Sequence, residues 1–175
     1  VLGGSSAVAA AYSIDNSCRF NRADSEELHY TQVTPTDNNT WTMSCWFKRS
    51  STAYETAPWG TWSDGNNHTT CRIMATTGAL QYFDYQSSAA TGKLNTNSIA
   101  RDVAGWYHLV CVWDSDNVTA GDRMKMYING VEQGSGGGYS TDTNPSSGQA
   151  TIMNVSGRVV YIGRDFDGTY WDGYI

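Results

Sequence analysis

The side chains best suited to chemistry in this chain are rings and amides crowded into one segment, Trp59-Gly-Thr-Trp62-Ser-Asp64-Gly-Asn66-Asn67-His68. Sugars are recognised by that mixture: a flat ring covers the apolar C–H side of the saccharide, and neighbouring amide, carboxylate or imidazole groups take its hydroxyls. Tyr170-Trp171, beside Asp167, repeats the combination near the end of the chain. The candidate carbohydrate-binding residues are therefore Trp59, Trp62, Asp64, Asn66, Asn67, His68, Tyr170 and Trp171. The competing reading is that these tryptophans fold back onto their own domain. Trp41, Trp106 and Trp113 read as core, and Trp46 as at least half buried.

Acidic loops supply a second kind of chemistry. Asp165-Phe-Asp167-Gly together with Asp172-Gly173 makes one, and Asp114-Ser-Asp116-Asn117 makes another. Calcium takes several carboxylate and carbonyl oxygens from a loop that curls round it. Asp165, Asp167, Asp172, Asp114 and Asp116 are thus candidate Ca2+ ligands, against the plainer reading of Asp and Gly as turn formers. Neither loop has EF-hand spacing.

Bond-breaking chemistry has less support, and a non-catalytic protein is expected. Glycoside cleavage needs two carboxylates facing the scissile bond, which a strand presents only at alternate positions. The glutamates are Glu26, Glu27, Glu55 and Glu132, and no two are so spaced. His29 and His108 fall within expected strands, His68 is the one histidine expected to be exposed, and there is no G-x-S-x-G elbow. Cys18, Cys45, Cys71 and Cys111 form no C-x-x-C pair, which argues against zinc. Each falls within an expected strand and reads as a small buried hydrophobe, with Cys45–Cys111 the pair to test for a disulfide. Four N-x-S/T strings, at Asn38, Asn67, Asn117 and Asn154, matter only on a eukaryotic secretory route.

The elements that must position these groups are strands. The chain has 175 residues, long enough for a sizeable core. It is rich in Thr, Ser, Gly, Asn, Tyr and Trp, and apolar 3.6-residue periodicity is absent. The clearest pattern runs from Trp106 to Glu132. Residues 106–113 are aromatic and β-branched, as in a central strand. Residues 123–128 then alternate, with Met124, Met126 and Ile128 on one face. Asn129-Gly130 follows as a type I′ turn signal. Residues 41–49 place Trp41, Met43, Cys45 and Phe47 on one face. Further strands are expected at 12–21, 28–31, 68–75, 79–85, 93–99, 151–155, 159–163 and 170–175. Residues 54–67 are either a strand with a long tip or a surface loop. Residues 1–11 read as a flexible lead-in to a single domain over 12–175, and 134–149 as a long Gly/Ser/Thr/Asn loop. Ten or more short strands without helices imply an all-β, antiparallel two-sheet jelly-roll sandwich. The net charge of −6, with 11 scattered Lys and Arg against 17 Asp and Glu, argues against nucleic acid. No stretch is long and apolar enough to span a membrane.

Several strings resemble laminin-G-like jelly-roll domains of the concanavalin A-like lectin/glucanase superfamily. They are Ser17-Cys-Arg-Phe-Asn-Arg-Ala-Asp-Ser25, Trp41-Thr-Met-Ser-Cys-Trp-Phe-Lys-Arg49, Trp106-Tyr-His-Leu-Val110, Arg123-Met-Lys-Met-Tyr-Ile-Asn-Gly-Val-Glu132, Tyr161-Ile-Gly-Arg164 and Asp172-Gly-Tyr-Ile175. They occur in the family's order over nearly the whole chain. The first, second and last are similar to domains in structural or tail proteins of bacterial viruses. In those, the D-G-Y-I string continues into a last strand, so the domain is expected to be truncated there. The resemblance implies a virion-surface or extracellular module on a tail, fibre or capsid. Its partners would be other virion or surface proteins in a homo-oligomer or larger assembly, together with host glycans, and a rim Ca2+ is common in such domains. The alternative is a free or cell-surface lectin-like module, and a glycoside-cleaving enzyme is the third reading.

Overall fold

The computed structural model describes residues 16–134 and 138–175. The expected lead-in at 1–11, the first residues of the 12–21 strand and part of the glycine-rich loop lie outside the described residues. The strands are β1 (Arg19–Phe20), β2 (Leu28–Thr31), β3 (Thr40–Arg49), β4 (Thr56–Asp64), β5 (Asn67–Ile73), β6 (Ala79–Gln86), β7 (Ala89–Ile99), β8 (Tyr107–Asp114), β9 (Met124–Ile128), β10 (Val131–Glu132), β11 (Tyr139–Thr143), β12 (Val159–Ile162) and β13 (Gly173–Tyr174). They form two antiparallel sheets, β1-β13-β3-β8-β9-β10 and β11-β7-β6-β5-β4-β12-β2, packed as a jelly-roll sandwich. No helix among the described residues is long and apolar enough to cross a membrane.

The first sheet follows the sequence pattern closely. Met124, Met126 and Ile128 are buried on one face of β9, and Asn129 and Gly130 take positive φ (52° and 78°) in the turn to β10. On β3, Phe47 is fully buried, with Trp41, Met43 and Cys45 packed against the same core. The D-G-Y-I string itself supplies β13, seated between β1 and β3. Space there is so tight that a Cβ on Gly173 (φ +142°) would lie 2.0 Å from the Lys48 carbonyl oxygen.

The second sheet shows how parity sorts side chains. Paired residues on adjacent strands share a face. Ile162, Trp59, Cys71, Tyr82 and Leu94 lie in one cross-strand row and enter the core, where Trp59, Trp41 and Tyr82 pack edge to face. The intervening residues therefore point outward, in rows that include Tyr161-Gly60-Thr70-Phe83-Lys93, Trp62-His68-Tyr85 and Arg72-Gln81.

Three expectations need correction. Residues 151–155 are not a strand. The N–H groups of Ile152 and Met153 donate to the side chains of Asp84 (3.1 Å) and Thr69 (3.2 Å) rather than to a neighbouring strand, and Asn154 turns the chain at φ 58°. The long polar loop contains β11, which edges the second sheet on β7. Of the expected first strand only Arg19–Phe20 pairs, and Cys18 is exposed. All four cysteines are free, with Cys71 and Cys111 buried in the core. Residues 54–67 resolve as strand β4 and its turn into β5.

Candidate functional site

Outward-facing rings of β5 and β6 lie beneath the loop 163–172, which folds across the second sheet. Contact is close enough that a Cβ on Gly60 would lie 3.0 Å from the Arg164 carbonyl oxygen and 3.2 Å from the Asp165 Cα. Glycine at this position therefore lets the loop approach the sheet.

Two arginines fasten the loop from opposite directions. Arg72 rises from β5 and binds Asp165, Asp167 (2.7 Å) and Glu55 (2.8 Å). Arg164 descends from the loop among the rings of Trp62, Tyr161 and Tyr170, with centroids 5.1, 5.4 and 5.2 Å away, and donates to Glu27 at 2.7 Å. Between these fastenings, Phe166 stacks on His68 with centroids 3.7 Å apart, and His68 stacks on Tyr85 at 5.2 Å. Beside the column an open groove of about 380 Å³ is lined by Asn66, His68, Gln81, Phe83, Tyr85, Ser88, Lys93 and Phe166, with Arg72 at one side. That volume lies within the ~300–1,000 Å³ range of small-ligand sites. The half-exposed Tyr85 and Phe166 rings and the polar ends of Asn66, Gln81 and Ser88 suit a saccharide there.

The expected sugar residues divide. Asn66 and His68 line the groove, but His68 is buried, at 5% exposure, rather than exposed, because the Phe166 and Tyr85 rings enclose it. Burial pulls its pKa below the ordinary imidazole value, and the Arg72 charge adds to this. Trp59 (1% exposed) and Trp171 (0%) cannot stack on a ligand: both belong to the core, Trp171 edge-on to Phe47. Trp62 faces outward, but its ring stacks on Tyr161 at 4.1 Å and 15°. Tyr170 covers Arg164. Asp64 and Asn67 build the turn: Asp64 accepts from Asn66 N–H (2.8 Å) and from Asn67 Nδ2, and Asn67 Oδ1 accepts from Ser87 N–H. Tyr85, Phe83, Gln81, Lys93, Ser88, Phe166 and Arg72 also line the groove and are not among the residues expected from sequence. The alternation Gln81-Phe83-Tyr85, opposite Leu80 and Tyr82, was the available signal: an apolar residue on both faces of a strand that needs only one for the core.

The carboxylates of Asp165, Asp167, Asp114 and Asp116 in the acidic loops are engaged by partners from the chain itself. The Arg72 guanidinium binds both Asp165 and Asp167, meeting their charge with a cation from the chain itself. Asp165 is fully buried, and burial, outweighing Arg72, pushes its pKa up to about 6. Asp172 uses its backbone carbonyl to accept from Ser50. Asp114 accepts from Asn117 (3.2 Å) within its own turn, and Asp116 accepts from Asn39 (3.1 Å) of a neighbouring loop. No three His, Cys, Asp or Glu side chains among the described residues gather to hold a metal.

Asp165 sets a pH dependence of known sign. Its folded pKa, about 6, exceeds the ordinary carboxyl value of 3.8, so the folded chain binds the proton more tightly than the unfolded chain. This group's contribution therefore rises as pH falls through about 6 and is complete below 3.8. Asp167 goes the other way. Burial opposes its ionisation, but the Thr169 hydrogen bond and Arg72 hold it below the ordinary value, so its contribution is lost only as pH falls through that lowered pKa. Urea midpoints taken from neutral pH to pH ~4 should rise further in the wild type than in Asp165→Asn. Parallel curves for the two proteins would refute the assignment.

Two antiparallel sheets in this order define a concanavalin A-like jelly roll. The chain belongs to the laminin-G family of the concanavalin A-like lectin/glucanases superfamily, whose model matches residues 21–175. No match is found among curated proteins. Among solved structures, laminin α1 domains LG4-5 from mouse superpose with a TM-score of 0.58 at 14% identity, covering 93% of this chain and 39% of that one. Domain 4 of AbnA, an extracellular GH43 arabinanase from Geobacillus stearothermophilus in complex with arabinotriose, gives 0.54 at 16% identity, covering 78% and 57%. The CBM40 module of the Ruminococcus gnavus IT-sialidase gives 0.53 at 13%, covering 86% and 88%. The chain thus spans about two fifths of the laminin fragment and just over half of the arabinanase domain.

Proposed function

We propose that this chain is a non-catalytic carbohydrate-binding module that works at a cell surface or outside the cell, and that its site is the groove on the outer face of the second sheet. The observation that carries the reading is the parallel column Phe166–His68–Tyr85 beside free polar groups of Asn66, Gln81 and Ser88. The neighbours add support, since the arabinanase domain is seen in complex with arabinotriose and the sialidase module is a CBM40. The non-catalytic part of this reading is supported by the glutamates. Glu27 pairs with Arg164, Glu55 with Arg72 and Glu132 with Lys125, and Glu26 accepts from the Asn21 N–H. They are thus spread over separate contacts rather than facing one another across a groove. Mounting on a virion, with protein partners in a larger assembly, is the finer proposal and rests on the strings at 17–25, 41–49 and 172–175.

A glycan array with the purified chain, run in calcium and again in chelator, tests the reading. Binding should survive the chelator, because the loop carboxylates are held by Arg72. Tyr85→Ala or Phe166→Ala should weaken it about tenfold, the scale of one lost aromatic contact. Binding lost in chelator, or indifferent to both substitutions, would move the site elsewhere.

A further inference from the structure

We propose that the groove selects an acidic glycan, with a sugar carboxylate seated against Lys93; this rests on the reading of the groove as the sugar site. The two cations that face the groove are in opposite states. Arg72 is committed to three carboxylates, those of Asp165, Asp167 and Glu55. Lys93 lies directly across from Phe83 in the β6–β7 pairing, its ammonium 5.9 Å from the ring centroid. Among the described residues no carboxylate pairs with it. The Phe83 ring therefore has a spent cation on one side, 5.6 Å from its centroid, and an uncommitted one on the other.

That asymmetry gives the ligand a direction. The Arg72 end carries three carboxylates around one guanidinium and repels an anion. The Lys93 end is the one place in the groove where an added carboxylate gains a charge-assisted hydrogen bond without displacing a protein partner. The sugar ring then lies along the half-exposed Tyr85 ring, beside the Lys93 ammonium. Gln81, next to Phe83 on the same outward side of β6, supplies an amide for further hydroxyls.

Carboxylates occur on uronic acids and on nonulosonic acids such as sialic acid, so the test carries both. Titrate the wild type and Lys93→Gln with a glucuronate-containing oligosaccharide, with sialyllactose, and with the neutral counterpart of each. One acidic glycan should bind about tenfold tighter than its neutral counterpart, as expected for one hydrogen bond to a charged group. Lys93→Gln should abolish that preference, and added salt should shrink it. Which acidic sugar binds identifies the source of the carboxylate. Equal affinity for acidic and neutral glycans, or a preference that survives Lys93→Gln, overturns this inference. If such binding is still weakened by Tyr85→Ala, the groove remains the sugar site and only the acidic selectivity fails. If no glycan binds the wild type, the sugar-site reading fails and this inference with it.

Discussion

Replacing Arg72 by methionine is expected to destabilise the chain by about 3–5 kcal/mol, the cost of breaking a buried ion pair from one side. Methionine keeps much of the aliphatic bulk and removes the charge. What remains is Asp165, fully buried, with Asp167 and Glu55 beside it and no cation among them. Burial already outweighs Arg72 at Asp165, so without Arg72 the carboxyl takes up a proton at still higher pH, which holds the loss at neutral pH to the lower end of this range and makes it grow as pH rises. The loop 163–172 loses its fastening to β5, and Phe166 loses the cation 5.0 Å from its ring. Urea unfolding at neutral pH checks the magnitude. The double variant Arg72→Met/Asp165→Asn should recover most of the loss, because Asn removes the buried charge and keeps an oxygen for the Phe166 N–H. Failure to recover would locate the cost in packing and not in the stranded carboxylate.

Gly173→Ala is expected to cost at least about 3 kcal/mol, combining a backbone region open mainly to glycine with a steric collision. The residue sits at φ +142°, and an added Cβ would lie 2.0 Å from the Lys48 carbonyl oxygen and 3.0 Å from the Arg49 Cα. These are backbone atoms of the strand that β13 pairs with, so no side-chain rotation relieves the contact. β13 must move out from between β1 and β3, taking with it Trp171, which packs on Phe47. A melting temperature lower by about 10 °C is the corresponding shift for a chain this size. Gly168→Ala is the comparison. There φ is +81°, but the nearest atom is 4.0 Å away, so only conformational strain of about 1 kcal/mol is added. Equal losses in the two variants would show that steric exclusion at Gly173 is not the cause.

Sequence pattern marked the hairpins more surely than the site, for a physical reason visible in β4. Alternation places Trp59 and Trp62 on opposite faces of one strand. Nothing local says which face meets the other sheet, and a shift of one residue exchanges them. The structure turns Trp59 inward against Tyr82 and Trp41, and Trp62 outward against Tyr161. Reading both as one aromatic loop therefore joined residues that lie on opposite sides of the sheet. His68 was placed in the correct segment but given the wrong exposure, since its cover comes from Phe166, nearly a hundred residues later.

The chain's own pattern determined what depends on neighbours along the backbone: strand-forming segments, the Asn129-Gly130 turn, and the inward face of β3 and β9. Tertiary structure alone decided what depends on register between distant strands. It set Arg72 against Asp165 and Asp167, brought Phe166 down onto His68, and left Lys93 beside Phe83 without a carboxylate. The acidic loop looked like a metal site because Asp spacing is local, whereas the cation that binds two of its carboxylates comes from β5, ninety-three residues earlier. Local spacing lists the charges, and only the packing of one sheet face against a returning loop says which of them are already neutralised.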